Sequence, residues 1–459
     1  MLQTIINWLP EHFMIGAISV LIYVLSTRAR GEKRQPAIAL AWVVGLALLP
    51  YITLPLYIFF GQRKVIAHIH PPEYIPKTVP STHWAVKFIE SFELLGASNV
   101  DVNFHKDGKE ALEGLYRVIN SAKHNLDIEI FIFGNDDFNR ELIEHLCASL
   151  ERGVKVRIMI DSLGSFKTPK RIFKKFKRLG GDLSIFKPLI SFKYTGPINL
   201  RNHRKLVIAD GNYLWSGGRN LSTKYFLGNV KTGEAWLDLS FDLKGDVATS
   251  AYYQFEIDYS SNKKITPTYT LQKEFTNVLA SQSVAQFLPS GPDQIDDTVN
   301  SLIIAALYRS NSYFTAISPY FVPDTDMIDA FCLAARRGVL VTIVVPENSD
   351  HKIADFARSR SLRRLARNGV KIRILPVMCH AKAFVCDDDL ALCGSVNLDQ
   401  RSLLINYEAS VVFYSQKEIL WIKEWIKTQE VTCKDYKLQK VGFIRDIAEG
   451  AFLSIGYQL

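Results

Sequence analysis

The sequence predicts an α/β protein with two homologous lobes, each a mixed sheet flanked by helices, behind an N-terminal transmembrane helical hairpin. Three features point there. Two uncharged apolar runs, 13–27 and 37–60, open the chain. A succession of helix, strand, helix, glycine stop and strand then occurs twice. Finally, one motif occurs twice in one register: His203, Lys205, Asp210, Gly217 and Asn220 recur as His380, Lys382, Asp387, Gly394 and Asn397. The two histidines and the two asparagines are each 177 residues apart (380 − 203 and 397 − 220). A lone His-x-Lys in a basic chain is background; two full copies at a fixed offset are not.

With 459 residues the chain has room for two to three domains at ~150 residues each. An apolar content of 48% with 12% aromatics excludes a disordered chain. The net charge of +9 fits an anionic partner such as a phospholipid headgroup, a membrane surface or nucleic acid, and does not choose among them. The six cysteines contain no C-x-x-C pair or zinc spacing and read as small buried thiols; no cofactor is expected.

Residues 37–60 exceed the ~20 residues needed to span a bilayer; the run 13–27 is shorter than ideal. A signal peptide is disfavoured for the first run because residues 1–12 hold no Lys or Arg and no A-x-A site follows. Pro50 and Pro55 are tolerable inside a membrane helix, so residues 1–62 are read as a hairpin, with Trp8, Trp42, Tyr51 and Tyr57 available as interface anchors. Arg28, Arg30, Lys33 and Arg34 between the runs nearly balance Arg63, Lys64 and Lys77 beyond them. The positive-inside rule therefore tilts only slightly toward a cytoplasmic loop and outward-facing lobes, and leaves the side undecided.

Residues 63–90, rich in Pro, His and Lys, read as a linker. Lobe 1, 91–258, then shows a helix at 110–119, a strand at 126–133, a helix at 139–151 and the strand VKVRIMI. Lobe 2, 266–459, repeats this with a helix near 298–308, a strand near 313–318, a helix near 324–336 and the strand LVTIVV. Val, Ile and Phe dominate the strands, as strands covered on both faces require. KLVIAD and KAFVCD carry the two motifs on strands. Face-to-face packing of the lobes is expected to bring the motifs into one cleft.

On a strand, His-x-Lys places imidazole and ammonium on one face. The Lys suits a phosphate oxygen, the Asn amide adds a donor, and the His serves as nucleophile or general acid. Two such sets around one phosphate suit a double displacement that requires no metal. Each His needs a carboxylate on its other ring nitrogen. The nearest downstream candidates are Asp238 for His203 and Glu408 for His380, and Ser395 adds a hydroxyl beside the phosphate. Asp210 and Asp387 read as turn-holding residues.

This set resembles the phospholipase D superfamily, and within it the bacterial cardiolipin synthases. The resemblance extends to the apolar N-terminal segment closing in FFGQRK, to SGPD at 290–293, to SPYFVPD at 318–324 and to NLDQRSLLINYE at 397–408. It implies two phospholipase D-type lobes and a phosphatidyl transfer between phosphatidylglycerol molecules with release of glycerol. His203, Lys205, Asp210, His380, Lys382 and Asp387 are then the catalytic set, with Asn220, Asn397 and Ser395 on the substrate. His203 is the implied nucleophile, although the residues alone support either order, and Glu408 the implied orienter of His380. Two positions depart from the family pattern: Arg219 stands where an aliphatic residue is usual, and Ser240 where a His is usual. Hydrolysis, or transfer to another alcohol, is the alternative. A nucleic-acid partner is not expected, because a nuclease has no need of a bilayer anchor; intact motifs argue against an inactive scaffold.

Overall fold

The computed structural model describes residues 2–32, 34, 36–65, 76–188, 197–228, 235–267, 283–438 and 441–454, without side chains for 2–9, 448 and 451–454. Lys33 and much of the expected linker, 66–75, lie outside the described residues.

The anchor comprises α1 (Leu2–Ala29), α2 (Pro36–Leu48) and α3 (Pro50–Leu56), which continues as a wider turn over Tyr57–Gly61. Within α1, Pro10–Ala29 is the one described helix long and apolar enough to cross a bilayer. The second run does not form a second such helix. Pro50 lacks an N–H and disfavours helical geometry at the residue before it, and Leu49 accordingly leaves the helix with φ −133° and ψ 54°. The chain then doubles back. A Cβ on Gly45 of α2 would lie 3.0 Å from the Thr53 methyl of α3. His12 meets the Leu48 carbonyl at 3.1 Å, whereas Tyr57, at the far end of α3, lies 2.5 Å from Ser26 near the end of α1. Of the two runs expected to form the hairpin, the first is one long helix and the second is a shorter pair folded back on itself, because a proline at the turn outweighs apolar length. Tyr57 is 1% exposed and packs edge-on against Tyr23 and Trp42, so it belongs to the anchor's core and not to an interfacial belt.

This geometry places both ends of the second run together. Arg34 donates to the Gly61 carbonyl, and the backbone N–H groups of Arg63 and Lys64 donate to Glu32. Arg63 and Lys64 also pair with Asp297, and the Lys64 ammonium donates to the carbonyls of Gly291 and Gln294, tying the anchor's exit to lobe 2.

Lobe 1 contains β1 (Ser98–His105), β2 (Asn125–Ile130), β3 (Lys155–Asp161), β4 (Asp182–Phe186), β5 (Leu206–Ala209), β6 (Tyr213–Gly217) and β7 (Ser240–Gly245). The segment before it carries α4 (Trp84–Glu90), and the helices of lobe 1 are α5 (Gly108–Ser121), α6 (Asp137–Glu151), α7 (Lys174–Arg178) and α8 (Asp246–Lys263). Lobe 2 contains β8 (Ser283–Ser290), β9 (Tyr313–Ile317), β10 (Phe321–Val322), β11 (Leu340–Pro346), β12 (Lys371–Leu375), β13 (Ala383–Cys386), β14 (Leu390–Gly394), β15 (Leu398–Asp399), β16 (Glu408–Phe413) and β17 (Lys434–Asp435). Its helices are α9 (Thr298–Arg309), α10 (Thr325–Arg336), α11 (Lys352–Arg367), α12 (Gln400–Leu404), α13 (Gln416–Glu430) and α14 (Phe443–Ser454). Asp107, Asp136 and Asp324 cap α5, α6 and α10, accepting from Glu110, Asn139 and Met327 N–H groups.

The sheets run β4-β3-β2-β5-β6-β7-β1 in lobe 1 and β8-β16-β14-β13-β9-β11-β12-β17 in lobe 2, joined into one 15-stranded sheet by antiparallel pairing of β1 with β8. The order is a near-palindrome about that junction, the mark of two repeats related by a local two-fold. The lobes therefore join edge to edge, and the expected face-to-face packing is corrected: each repeat's open edge strand is satisfied by its counterpart's.

Candidate active site

The His-x-Lys segments do not lie within strands. Each is the extended lead-in to one, His203–Lys205 before β5 and His380–Lys382 before β13, and each pairs with the other repeat. Asn202 bridges in parallel to Tyr407, with the His203 N–H donating to the Tyr407 carbonyl at 2.8 Å. Cys379 bridges in the same sense to Leu237, with the His380 N–H donating to the Leu237 carbonyl at 2.6 Å. The residues after Tyr407 and Leu237 are Glu408 and Asp238. This pairing therefore sets Glu408 beside His203 and Asp238 beside His380.

The carboxylates are thus exchanged between the repeats, reversing the assignment expected from chain order. His380 Nδ1 lies 2.8 Å from Asp238 Oδ2, and His203 Nδ1 lies 3.5 Å from Glu408 Oε1. Lys382 Nζ also sits 2.7 Å from His380 Nδ1 and donates to the His380 carbonyl, as Lys205 does to the His203 carbonyl at 2.6 Å. One nitrogen cannot donate to a carboxylate and accept from an ammonium at once. His380, Lys382 and Arg219 outweigh the burial that would protonate Asp238 and hold it below the usual carboxylate range. The ionised carboxylate therefore accepts the hydrogen bond from Nδ1–H, and Nε2 is left as the reactive nitrogen.

Burial, reinforced by Lys382, brings His380 down to about 4; burial with Lys205, Arg401, Lys382 and Arg201 holds His203 well below its ordinary value. Burial also lowers Lys382 to about 7 and raises Glu408 to about 7, against the opposing pull of Lys205 on Glu408. The site is a cationic cradle around two imidazoles of lowered proton affinity; a bound phosphodiester anion offsets the cations, and His380, paired with the ionised Asp238, is the one placed to hold a proton.

Ser395 serves the carboxylate and not an open phosphate position: its hydroxyl donates to Glu408 Oε2 at 2.5 Å and accepts from the Ala409 N–H at 2.9 Å. Its counterpart must be Gly218, because a Cβ there would stand 2.1 Å from Asp238 Oδ1. The Asn220 amide donates to the Tyr225 hydroxyl and accepts from the Ile132 N–H; the Asn397 amide donates to Ser402, and its buried Oδ1 has no hydrogen-bond partner among the described residues. Asp210 and Asp387 stand outside the cluster. They occupy the turns at the far ends of β5 and β13 with φ of 51° and 49°, and each accepts three backbone N–H groups. Their inclusion among groups that act on substrate is corrected: an aspartate tolerates the left-handed turn and satisfies its donors.

The two unusual residues of the first repeat explain each other. Arg219, fully buried, donates to the Ser240 hydroxyl and the Tyr225 carbonyl, each at 3.0 Å. A side chain smaller than His at 240 leaves room for this cation near Asp238.

Several contributors escape reading from the motif alone. Phe131 lies over His203 at 3.8 Å between ring centres, and Tyr225 stands edge-on to His380 at 5.0 Å. Arg204, between the motif's His and Lys, turns to the opposite side and anchors to Asp258 and Asp293 while donating to the Glu408 carbonyl at 3.0 Å. SGPD thereby acquires a purpose: its Asp293 buttresses a motif contributed by the other lobe. Alternation along an extended segment signals Arg204's opposite direction, but its partners are not local.

Two exchanged His–carboxylate pairs, each with a lysine, define a duplicated phospholipase D-type fold. The chain belongs to the family described as cardiolipin synthase, PLD-like domain, whose model matches residues 115–236 and 303–429. A phospholipase D-nuclease N-terminal model matches 15–62. It is 28% identical over 412 residues to a cardiolipin synthase of Clostridium perfringens, covering 84% of this chain and 86% of that protein. It is 26% identical over 462 residues to cardiolipin synthase A of Pseudomonas putida, covering 94% and 95%. The fold is similar to that of a phosphatidylserine synthase from Haemophilus influenzae, with a TM-score of 0.61 at 13% identity over 82% of this chain and 98% of that one. The chain is accordingly a membrane-associated enzyme of the phosphatidyltransferase type.

Proposed function

We propose that this enzyme transfers a phosphatidyl group from one phosphatidylglycerol to another, forming cardiolipin and glycerol through a phosphohistidine. The exchanged carboxylate pairs carry the reading, because they equip two histidines for complementary roles at one phosphate. His203 Nε2 attacks phosphorus, and His380, protonated once the phosphodiester anion is bound, gives its proton to the departing glycerol oxygen. His380, now neutral, accepts the proton of the second lipid's hydroxyl; that oxygen attacks phosphorus and the bond to His203 breaks. Asp238 stabilises the imidazolium as it forms. Lys205, Lys382 and the remaining amide hydrogens of Asn220 and Asn397 stabilise the equatorial oxygens, a role for which no metal is needed. Residues 91–258 and 266–459 work as two lobes of one catalytic unit behind the anchor at 1–62 and the linker at 63–90.

Purified enzyme in phosphatidylglycerol micelles is expected to release glycerol and form cardiolipin without added metal. Accumulation of phosphatidic acid would establish a hydrolase instead, and absence of any lipid turnover would overturn both readings.

The enzyme works at the cytoplasmic face of a bacterial inner membrane. We read α2 and α3 as a re-entrant pair, which supports this: Arg28, Arg30, Arg34, Arg63 and Lys64 then gather at the end of α1 that carries the lobes, whereas residues 1–12 hold no Lys or Arg. The slight tilt toward outward-facing lobes depends on two full crossings. At 1.5 Å per residue α2 reaches only ~20 Å into a core of ~30 Å. A membrane-impermeant thiol reagent applied to intact cells should spare a cysteine introduced at the exposed Val431; labelling there would place the lobes outside.

A further inference from the structure

A cavity of about 960 Å³ separates the anchor from lobe 2 and takes no part in the mechanism above. One wall is the first turns of α2, with Ile38, Ala41 and Trp42; the other carries Arg360 and Arg364 of α11 and Gln400 of α12. Its volume is at the upper end of the ~300–1,000 Å³ of ordinary ligand pockets. The two arginines are four residues apart and so share one face of α11. Their side chains keep 48% and 47% of their exposure, each beside a surface carboxylate, Asp446 at 3.7 Å and Asp329. Each guanidinium carries five donors, more than one carboxylate can occupy. Leu40, Val44 and Leu48 of α2 stand exposed, as a lipid-facing surface requires. The protein side thus offers two cations, beside an Asp324 committed to capping α10, and the membrane side offers hydrocarbon.

Its position links it to catalysis. Gln400 directly follows β15, which begins one residue after Asn397, and β10 pairs with β15 and leads into α10 on the cavity wall.

We propose that this cavity holds one intact anionic phospholipid, its phosphate on Arg360 and Arg364 and its acyl chains along α2. This deepens the phosphatidyl-transfer reading, on which it rests for the lipid's purpose: a second substrate molecule is held at the bilayer edge, next to the half-site of His380. The phosphate under attack is a different one, since neither arginine belongs to a His–Lys pair.

The test uses full-length enzyme in detergent micelles with phosphatidylglycerol carrying a photoreactive group at the end of one acyl chain. The label is expected on residues 36–48. A double charge reversal, Arg360→Glu with Arg364→Glu, should reduce it about tenfold, equivalent to ~1.4 kcal/mol. Ala41→Trp, which fills the cavity from an exposed position and leaves the cations in place, should do the same. Thermal melts matching the parent would separate lost binding from lost folding. The catalytically disabled His203→Ala chain should label like the parent, so the result can be read even if no cardiolipin is formed. Labelling that survives both changes overturns the proposal. So does an equal label from diacylglycerol bearing the same group, which would mark an apolar crevice without phosphate recognition.

Discussion

His203→Ala and His380→Ala should each lower phospholipid turnover by about 10⁴-fold or more, the scale on which enzymes lose a nucleophile or its acid–base partner. The variants should fail at different steps. A phosphatidyl ester of p-nitrophenol needs no proton on its leaving group. His380→Ala should therefore still release one equivalent of nitrophenol and trap phosphatidyl-His203, recoverable after alkaline digestion, whereas His203→Ala should show no burst. A burst from His203→Ala and none from His380→Ala would exchange the two roles. Substantial phosphatidylglycerol turnover in either variant would refute a site built from both motifs. A structural role for one histidine would not separate the burst from the steady state in this way.

Asp238→Asn should lower turnover by about 10³–10⁴-fold, because an amide in place of the acceptor turns the His380 tautomer and removes the charge that stabilises its imidazolium. The burst with the nitrophenyl ester should survive, because Asp238 serves His380. Glu408→Gln should instead slow the burst itself, since Glu408 faces His203. Its effect should be smaller, about 10–100-fold, because the 3.5 Å separation exceeds hydrogen-bonding range. Glu408 is raised to about 7 by burial, so it takes up a proton as pH falls through that value and loses the negative charge that faces His203. Parent activity should therefore decline on the acid side of about pH 7, and Glu408→Gln should flatten that limb. If the carboxylates served the histidines of their own repeats, the burst phenotypes of the two variants would be reversed.

Much of the catalytic chemistry is legible in the amino-acid sequence. His203 and His380, their lysines and their asparagines announce themselves by a repeated register, and identical local chemistry repeated at a fixed offset is a property of the chain alone. The helices and strands are legible for a similar reason. The pattern at 110–119 becomes α5 (Gly108–Ser121), and LVTIVV becomes β11 (Leu340–Pro346). Pro50 is visible too, but its effect depends on whether a neighbouring helix can receive a reversed chain. α1 does so through Ser26 and His12.

The duplication, the lobes' elements and the identity of the reacting groups thus follow from the chain itself, because periodicity and motif spacing act over a few residues. Which carboxylate serves which histidine, how the sheets join and where the anchor's charges gather follow from long-range packing alone. His380 and Asp238 are 142 residues apart, and the bridge that sets them together runs between segments of different repeats. Chain order favours the nearer partner. The two-fold pairing of β1 with β8 favours the exchanged one, and in the folded protein that long-range geometry prevails.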